Sequence, residues 1–265
     1  MTDLSEPRVE GVELKIKELY SNIVRQLQKK GDAKAASRKI ERARYFGIDY
    51  KSYGIEESEE IELIRSHLSS FRQLSLEERF ELARMFYASG FSEQANFGDA
   101  ILELSVEDLI PAHYDFLDEI ADCLSNWAQT DWLCSRVVQP LLRKYPKQTL
   151  NLLRKWNRSN NIWKRRASVV AFTRRIGVSG MFTDEALELC NDLIWDREDL
   201  VRKGVGWALK DNMCGAKKRV LNYVKSLRRK GVFSVVTLYA IRDLKGKERE
   251  EVLKIKPDRK LKRPS

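Results

Sequence analysis

The sequence predicts an all-α protein built as a curved solenoid of stacked antiparallel helix pairs. Three observations lead there. Apolar residues recur at helical spacing through almost every segment, with glycine and proline confined largely to the seams. No stretch shows convincing strand alternation. One helix-length phrase returns in altered form 37 residues further along. In such a stack each pair buries its apolar face only against its neighbours, so residues distant in sequence can line one long concave groove.

After a polar start, Val12 to Lys29 reads as a helix with Leu14, Ile16, Leu19, Tyr20, Ile23, Val24 and Leu27 on its buried side, closed by Gly31. Ala33 to Tyr45 is a second, basic helix. Phe46, Gly47, Ile48, Tyr53, Gly54 and Ile55 make a turn-rich seam, after which Glu56 to Phe71 presents Ile61, Leu63, Ile64, His67 and Leu68. His67 reads as a helix-face or seam residue. Ser75 with Glu78 three positions on forms a capping box, in which each side chain satisfies an orphan backbone N–H of the other residue. The next helix therefore runs from Leu76 to Ala88, and Gly90 closes it. Ser92 to Leu104 and Val106 to Ser125 continue the alternation of helix and short turn.

Asp131 is placed to start a helix through Lys144, which Pro140 is expected to kink because it lacks a backbone donor. Pro146 suits the first turn of Lys147 to Trp156, and Asn160 or Asn161 opens a helix running to Arg175. Gly177 and Gly180 break the chain. Helices at Glu185 to Trp195, Asp199 to Asn212, Ala216 to Arg229, Phe233 to Leu244 and Glu248 to Lys254 follow. RRASVVA, from Arg165, overlays RKGVGWA, from Arg202, at the 37-residue shift, and Ser159 to Trp163 falls on Asp196 to Leu200. The phrase DREDLVRKGVGWAL has the form of the second helix of a HEAT unit: an acid in the turn, an arginine in the first helical turn, and small residues where helices touch. Residues 1–255 are expected to form a single HEAT-like-repeat domain of ARM type, with 256–265 a flexible basic tail.

Charge points to the partner. Of 49 basic and 39 acidic residues, 32 and 13 lie from Arg143 onward, so that part carries +19 and the part before it −9. A basic half in a protein of pI 9.4 is the electrostatic footprint expected for a polyanion, of which nucleic acid is the usual one. Cys123, Cys134, Cys190 and Cys214 show no CxxC spacing, and with two histidines no zinc site is expected. No apolar run approaches the roughly 18 residues of a membrane span, and MTDLSEPRVE lacks the apolar stretch of a signal peptide. The expected location is the cytoplasm, on nucleoid DNA.

Within this scaffold, NWAQTD sets Trp127 and Asp131 four residues apart at a helix seam. An aspartate before an apolar helical run is an N-cap candidate, and a cap stays ionised because N–H donors and the positive helix end favour its charge. A chemical role is compatible with that. Trp127 suits either a core or a ligand-facing position. Trp207 lies amid Gly204, Gly206 and Ala208, small neighbours that let another backbone approach, whether of nucleic acid or of the next helix. Arg165 and Arg166 open a helix, where an arginine can bridge to an acid of the adjacent repeat.

The tract RYFGIDYKSYGI, then SNWAQTD, the KYP turn, SNNIWKRRASVV and RKGVGWAL occur in this order from about Arg38 to about Leu244. Together they resemble the HEAT-like-repeat alkylpurine DNA glycosylases, the AlkD-like DNA alkylation repair proteins. The resemblance implies an active cleft formed by Trp127, Asp131, Arg166 and Trp207. Asp131 would stabilise an oxocarbenium-like sugar and direct water to C1′, the two tryptophans would face the cationic base or sugar edge, and Arg166 would hold a backbone phosphate. Arg165, Arg202 and Lys203 are candidate phosphate contacts. Trp132 offers a competing register with Arg136 at the aspartate position, set aside because a cation there would oppose the cation to be stabilised. The implied substrate is double-stranded DNA carrying N3- or N7-alkylated purines, hydrolysed in base excision repair by a monomer without a deep base pocket and with no metal or organic cofactor. The alternative is a non-catalytic HEAT-like protein that binds damaged or branched DNA through its basic half.

Overall fold

The computed structural model describes residues 6–45, 48 and 50–258. Their regular structure is helical throughout, apart from one isolated parallel bridge between Lys51 and Phe91. The fold class is all-α. No helix among the described residues is long and apolar enough to cross a membrane. The chain divides into two compact units, Met1–Asn126 and Trp127–Ser265. Most of the expected basic tail, and Phe46, Gly47 and Asp49 of the expected seam, lie outside the described residues.

The first unit holds α1 (Glu6–Lys30), α2 (Ala33–Tyr45), α3 (Glu57–Arg72), α4 (Leu76–Ala88), α5 (Ser92–Ser105) and α6 (Tyr114–Asp122). α1 packs on α4, α4 on α5 and on α6, and α3 on α5. Ile16, Ile23 and Leu27 bury one stripe of α1, whereas Leu14 is 60% exposed. At 100° per residue Leu14 lies on the opposite side of the helix from Ile16, which corrects the expected apolar set. The Ser75–Glu78 capping box forms, with the serine amide donating to Glu78 at 2.6 Å and the Glu78 amide to the serine hydroxyl at 3.2 Å. His67 is buried, 3.2 Å from the Gln26 amide and packed between Phe71 and Phe97. The helix expected from Val106 starts only at Tyr114, after a short 3₁₀ turn at Pro111–His113. Pro111 forces Ile110 into an extended conformation (φ −127°, ψ 166°), which a helix cannot include.

Asp99 on α5 is buried against the hydroxyl of Tyr87, and Gly98 beside it leaves room for the Tyr87 ring. Burial pushes the Asp99 carboxyl from 3.8 to about 8, with the tyrosine hydroxyl opposing the shift. Between those limits the folded chain holds a proton that the unfolded chain has lost, so stability falls as pH rises from about 4 to about 8. Asp99→Asn keeps the acceptor for Tyr87 and removes the titration. Its melting temperature should exceed wild type by a margin that grows from pH 5 to pH 8.5. That margin corresponds to several kcal/mol at most, since each tenfold change in proton affinity is worth about 1.4 kcal/mol. A margin independent of pH would contradict this.

The second unit runs through α7 (Trp127–Leu133), a π-helical segment (Cys134–Val138), α8 (Gln139–Lys144), α9 (Pro146–Asn157), α10 (Ile162–Val170), α11 (Arg174–Ser179), α12 (Thr183–Leu193), α13 (Asp199–Gly215), α14 (Lys217–Lys230), α15 (Ser234–Ala240) and α16 (Gly246–Leu253). The 37-residue shift carries the start of α9 onto the start of α12 and lays α10 on α13, so the repeat is a whole helix pair. These pairs pack on one another, and α13 also meets α11, α14 and α15. Where Pro140 was expected to kink the helix, the preceding turn widens instead: the Gln139 amide reaches back five residues to the Cys134 carbonyl. The helix opened by Asn161 stops at Val170, short of the expected Arg175, and Arg174 after the turn adopts φ +54°.

Candidate active site

α7 begins at Trp127, which places Asp131 one turn inside the helix and not at its N-cap. Its own amide therefore belongs to the helical ladder, and its side chain is free to leave the helix axis. Trp127 and Asp131 share a face by their spacing of four. Trp127 is 44% exposed, whereas Asp131 is 8% exposed.

The carboxylate is met by Arg166 on α10. Arg166 Nε donates to Oδ1 at 3.0 Å and Nη2 to Oδ2 at 2.9 Å, while Nη1 donates to the Leu200 carbonyl at 2.6 Å. A planar guanidinium matches both oxygens of an ionised carboxylate at once. Asn161 sets the start of α10 by accepting from the Trp163 amide at 2.8 Å. Gly204 lets α13 close on this pair, since a Cβ there would stand 3.5 Å from Arg166 Cγ and 3.3 Å from Val169 Cγ2. Burial pushes the Asp131 carboxyl above its ordinary value, against the pull of the Arg166 and Arg174 guanidinium groups.

Trp207 lies seven residues beyond Leu200, two turns along the same face of α13. The small residues around it admit neighbouring helices: Gly204 admits α10, and a Cβ on Gly206 would come within 2.6 Å of Tyr239 Cβ on α15. The guanidinium of Arg174 lies over the Trp207 ring, 5.2 Å from its centroid. The site therefore offers a fixed carboxylate, its guanidinium partner, and an indole carrying a cation.

A family model described as DNA alkylation repair enzyme matches residues 23–244. The chain belongs to the DNA alkylation repair enzyme family. No curated protein matches it in sequence. Its fold is similar to that of a predicted DNA alkylation repair enzyme from Enterococcus faecalis, at 12% identity and a TM-score of 0.66 over 81% of this chain and 97% of that one. It is also similar to the Pseudomonas fluorescens alkylpurine DNA glycosylase AlkC bound to DNA containing an abasic site analog. There the identity is 15% and the TM-score 0.54, over 91% of this chain and 66% of that one. At these identities the likeness is one of fold.

The phosphate contacts implied by resemblance to this DNA alkylation repair family fare unequally in their geometry. Arg165 is buried, giving Nε and Nη2 to the Asp196 carboxylate at 2.6 and 3.3 Å and Nη1 to the Ser159 and Asn160 carbonyls. It is a bridge to the next repeat. Arg202, its counterpart 37 residues on, lies over Phe233, the residue that takes the place of Asp196 at that shift, with 4.2 Å to the ring centroid. Arg166 is committed to Asp131. Lys203 remains exposed and pairs with Asp199 at 2.7 Å, an arrangement that costs about 0–1 kcal/mol to open. Sequence reasoning missed Arg174, because it ran one helix through the position and no spacing rule marks a left-handed residue.

Proposed function

We propose that the chain is a monofunctional glycosylase that hydrolyses the N-glycosidic bond of N3- or N7-alkylated purines in duplex DNA. The observation that carries this reading is the Asp131 carboxylate, held bidentately by Arg166 on α10, in the same unit as Trp127 and Trp207. An alkylated purine is cationic, so when its bond to C1′ breaks the electron pair neutralises the departing base and no strong acid is required. The sugar is left as an oxocarbenium ion, and water adds to C1′ with loss of a proton. A preorganised carboxylate stabilises that cation and orients the water. Two unit charges 4 Å apart attract by about 4 kcal/mol at an effective dielectric near 20. Trp127, and the face of Trp207 not covered by the Arg174 guanidinium, offer ring faces to the cation, worth roughly 0.5 to 2 kcal/mol each. In this proposal Arg166 positions Asp131 and does not grip phosphate.

Family membership supports the reading, as does the basic C-terminal half of the chain. One fold neighbour is an alkylpurine DNA glycosylase bound to DNA with an abasic site analog, the product state of such a reaction. A second reading has its own support, because a buried pair with every strong contact internal can serve the fold alone; the chain would then bind DNA without catalysis. Incubation with methylated duplex DNA separates the two: release of 7-methylguanine or 3-methyladenine is expected, and its absence would sink the glycosylase reading. Trp207→Ala should slow release by roughly 3- to 30-fold, the equivalent of one cation–π contact, while moving the melting temperature little. A large loss of stability with unchanged release would instead assign Trp207 to packing.

A further inference from the structure

We infer that Arg174 is the residue that holds a backbone phosphate of the duplex beside the Asp131 cleft, and that the turn carrying it is a preformed clamp. This rests on the DNA-directed reading above and moves the phosphate role from Arg166 to a residue outside the motifs.

The backbone supplies the first argument. Arg174 is the one non-glycine residue with positive φ among the described residues, while the others, Gly54, Gly90, Gly180, Gly231 and Gly246, are all glycine. A left-handed arginine is strained, and glycine would serve the turn better. Strain of this kind collects where a side chain has a task. Three side chains hold the turn in place: Gln139 Nε2 donates to the Thr173 carbonyl at 3.0 Å, Asn212 Nδ2 to the Phe172 carbonyl at 2.9 Å, and the Arg174 amide donates to Asp211 Oδ2 at 2.5 Å. Asp211 is itself buried and paired with Lys210 at 2.8 Å.

The side chain supplies the second. Arg165 and Arg166 spend their forks on carboxylates and carbonyls inside the unit, whereas the Arg174 side chain is exposed and makes no hydrogen bond or ion pair with a described residue. Its contact is the Trp207 ring. A guanidinium lying over an indole is held in place while its N–H groups stay open, and two of them match two oxygens of a phosphodiester. Trp207, under the Arg174 guanidinium, stands two turns along α13 from Leu200, whose carbonyl accepts from the Arg166 that holds Asp131, and the Arg174 charge acts on that carboxyl.

Arg174→Gly tests this, since it removes the fork and relieves the backbone. Binding of wild type and variant to a duplex carrying a tetrahydrofuran abasic analogue would be followed by fluorescence anisotropy over a potassium chloride series, alongside thermal melts. The expected result is a melting temperature no lower than wild type, a Kd raised about tenfold, and a slope of log K against log salt shallower by about one. Arg174→Lys should restore the slope and part of the affinity. Equal Kd and slope in wild type and Arg174→Gly would overturn the clamp, as would a marked drop in melting temperature, which would assign Arg174 to the fold. A wild-type chain that binds no duplex overturns the clamp together with the DNA-directed reading. A clamp effect on binding without release of methylated bases leaves the clamp standing and removes only the glycosylase.

Discussion

Asp131→Asn is expected to lower single-turnover release of 7-methylguanine from methylated duplex DNA by about 10²- to 10³-fold, the range seen when one preorganised charge-stabilising group is removed. The amide keeps an oxygen for Arg166 but carries no charge to offer an oxocarbenium ion. One charge-assisted hydrogen bond of the pair is lost, at a cost of about 1–3 kcal/mol, so the variant should remain folded with a lowered melting temperature. Affinity for a duplex bearing an abasic analogue should stay equal or rise, because the proposed DNA cleft has lost an acid that would repel phosphate. Unchanged release by a folded variant would mean that Asp131 serves structure only.

Arg166→Ala should cost the most stability, about 3–5 kcal/mol, because it leaves a buried carboxylate without its partner and removes a bond to the Leu200 carbonyl. The pH dependence gives it a signature. Burial already raises the Asp131 carboxyl, and Arg166 is the stronger of the two guanidinium groups pulling it back. Without that pull the folded-state pKa rises further. The folded chain then keeps a proton over a range where the unfolded chain has lost it, so stability falls as pH rises through that range. The variant should therefore be least destabilised in acid, and melts at pH 5 and pH 8 would show it. Residual excision should follow the ionised carboxylate and so recover toward higher pH relative to wild type. Melting differences that do not change with pH, combined with a parallel pH–rate profile, would contradict an Arg166 that acts through Asp131.

Short-range features were legible because they depend on neighbours in sequence. Ser75 and Glu78 cap α4 through groups three residues apart, Asn161 caps α10 two residues ahead of the amide it accepts from, and Pro146 starts α9 because its missing N–H is not needed there. The 37-residue shift was visible for the same reason, and in the structure it covers whole helix pairs. Where a local rule was applied too far, the departures are also local: Pro111 truncates a helix start, and Leu14 falls on the wrong side of α1.

What no neighbour rule could supply is which arginine faces what. Arg165 and Arg166 are adjacent and chemically identical, yet one meets Asp196 and the other Asp131, 31 and 35 residues away, each across a helix packing. Arg174 differs from them only in lying past the end of α10, where Gln139, Asp211 and Asn212 hold a turn that its own sequence disfavours. Chain order alone led to the helices, their repeat and the basic half, and the resemblance of its motifs to a repair family singled out Trp127, Asp131, Arg166 and Trp207. Packing decided that Asp131 is held from within by Arg166 and that Arg174 is left with an open fork, because burial sets which charges must find partners inside the protein.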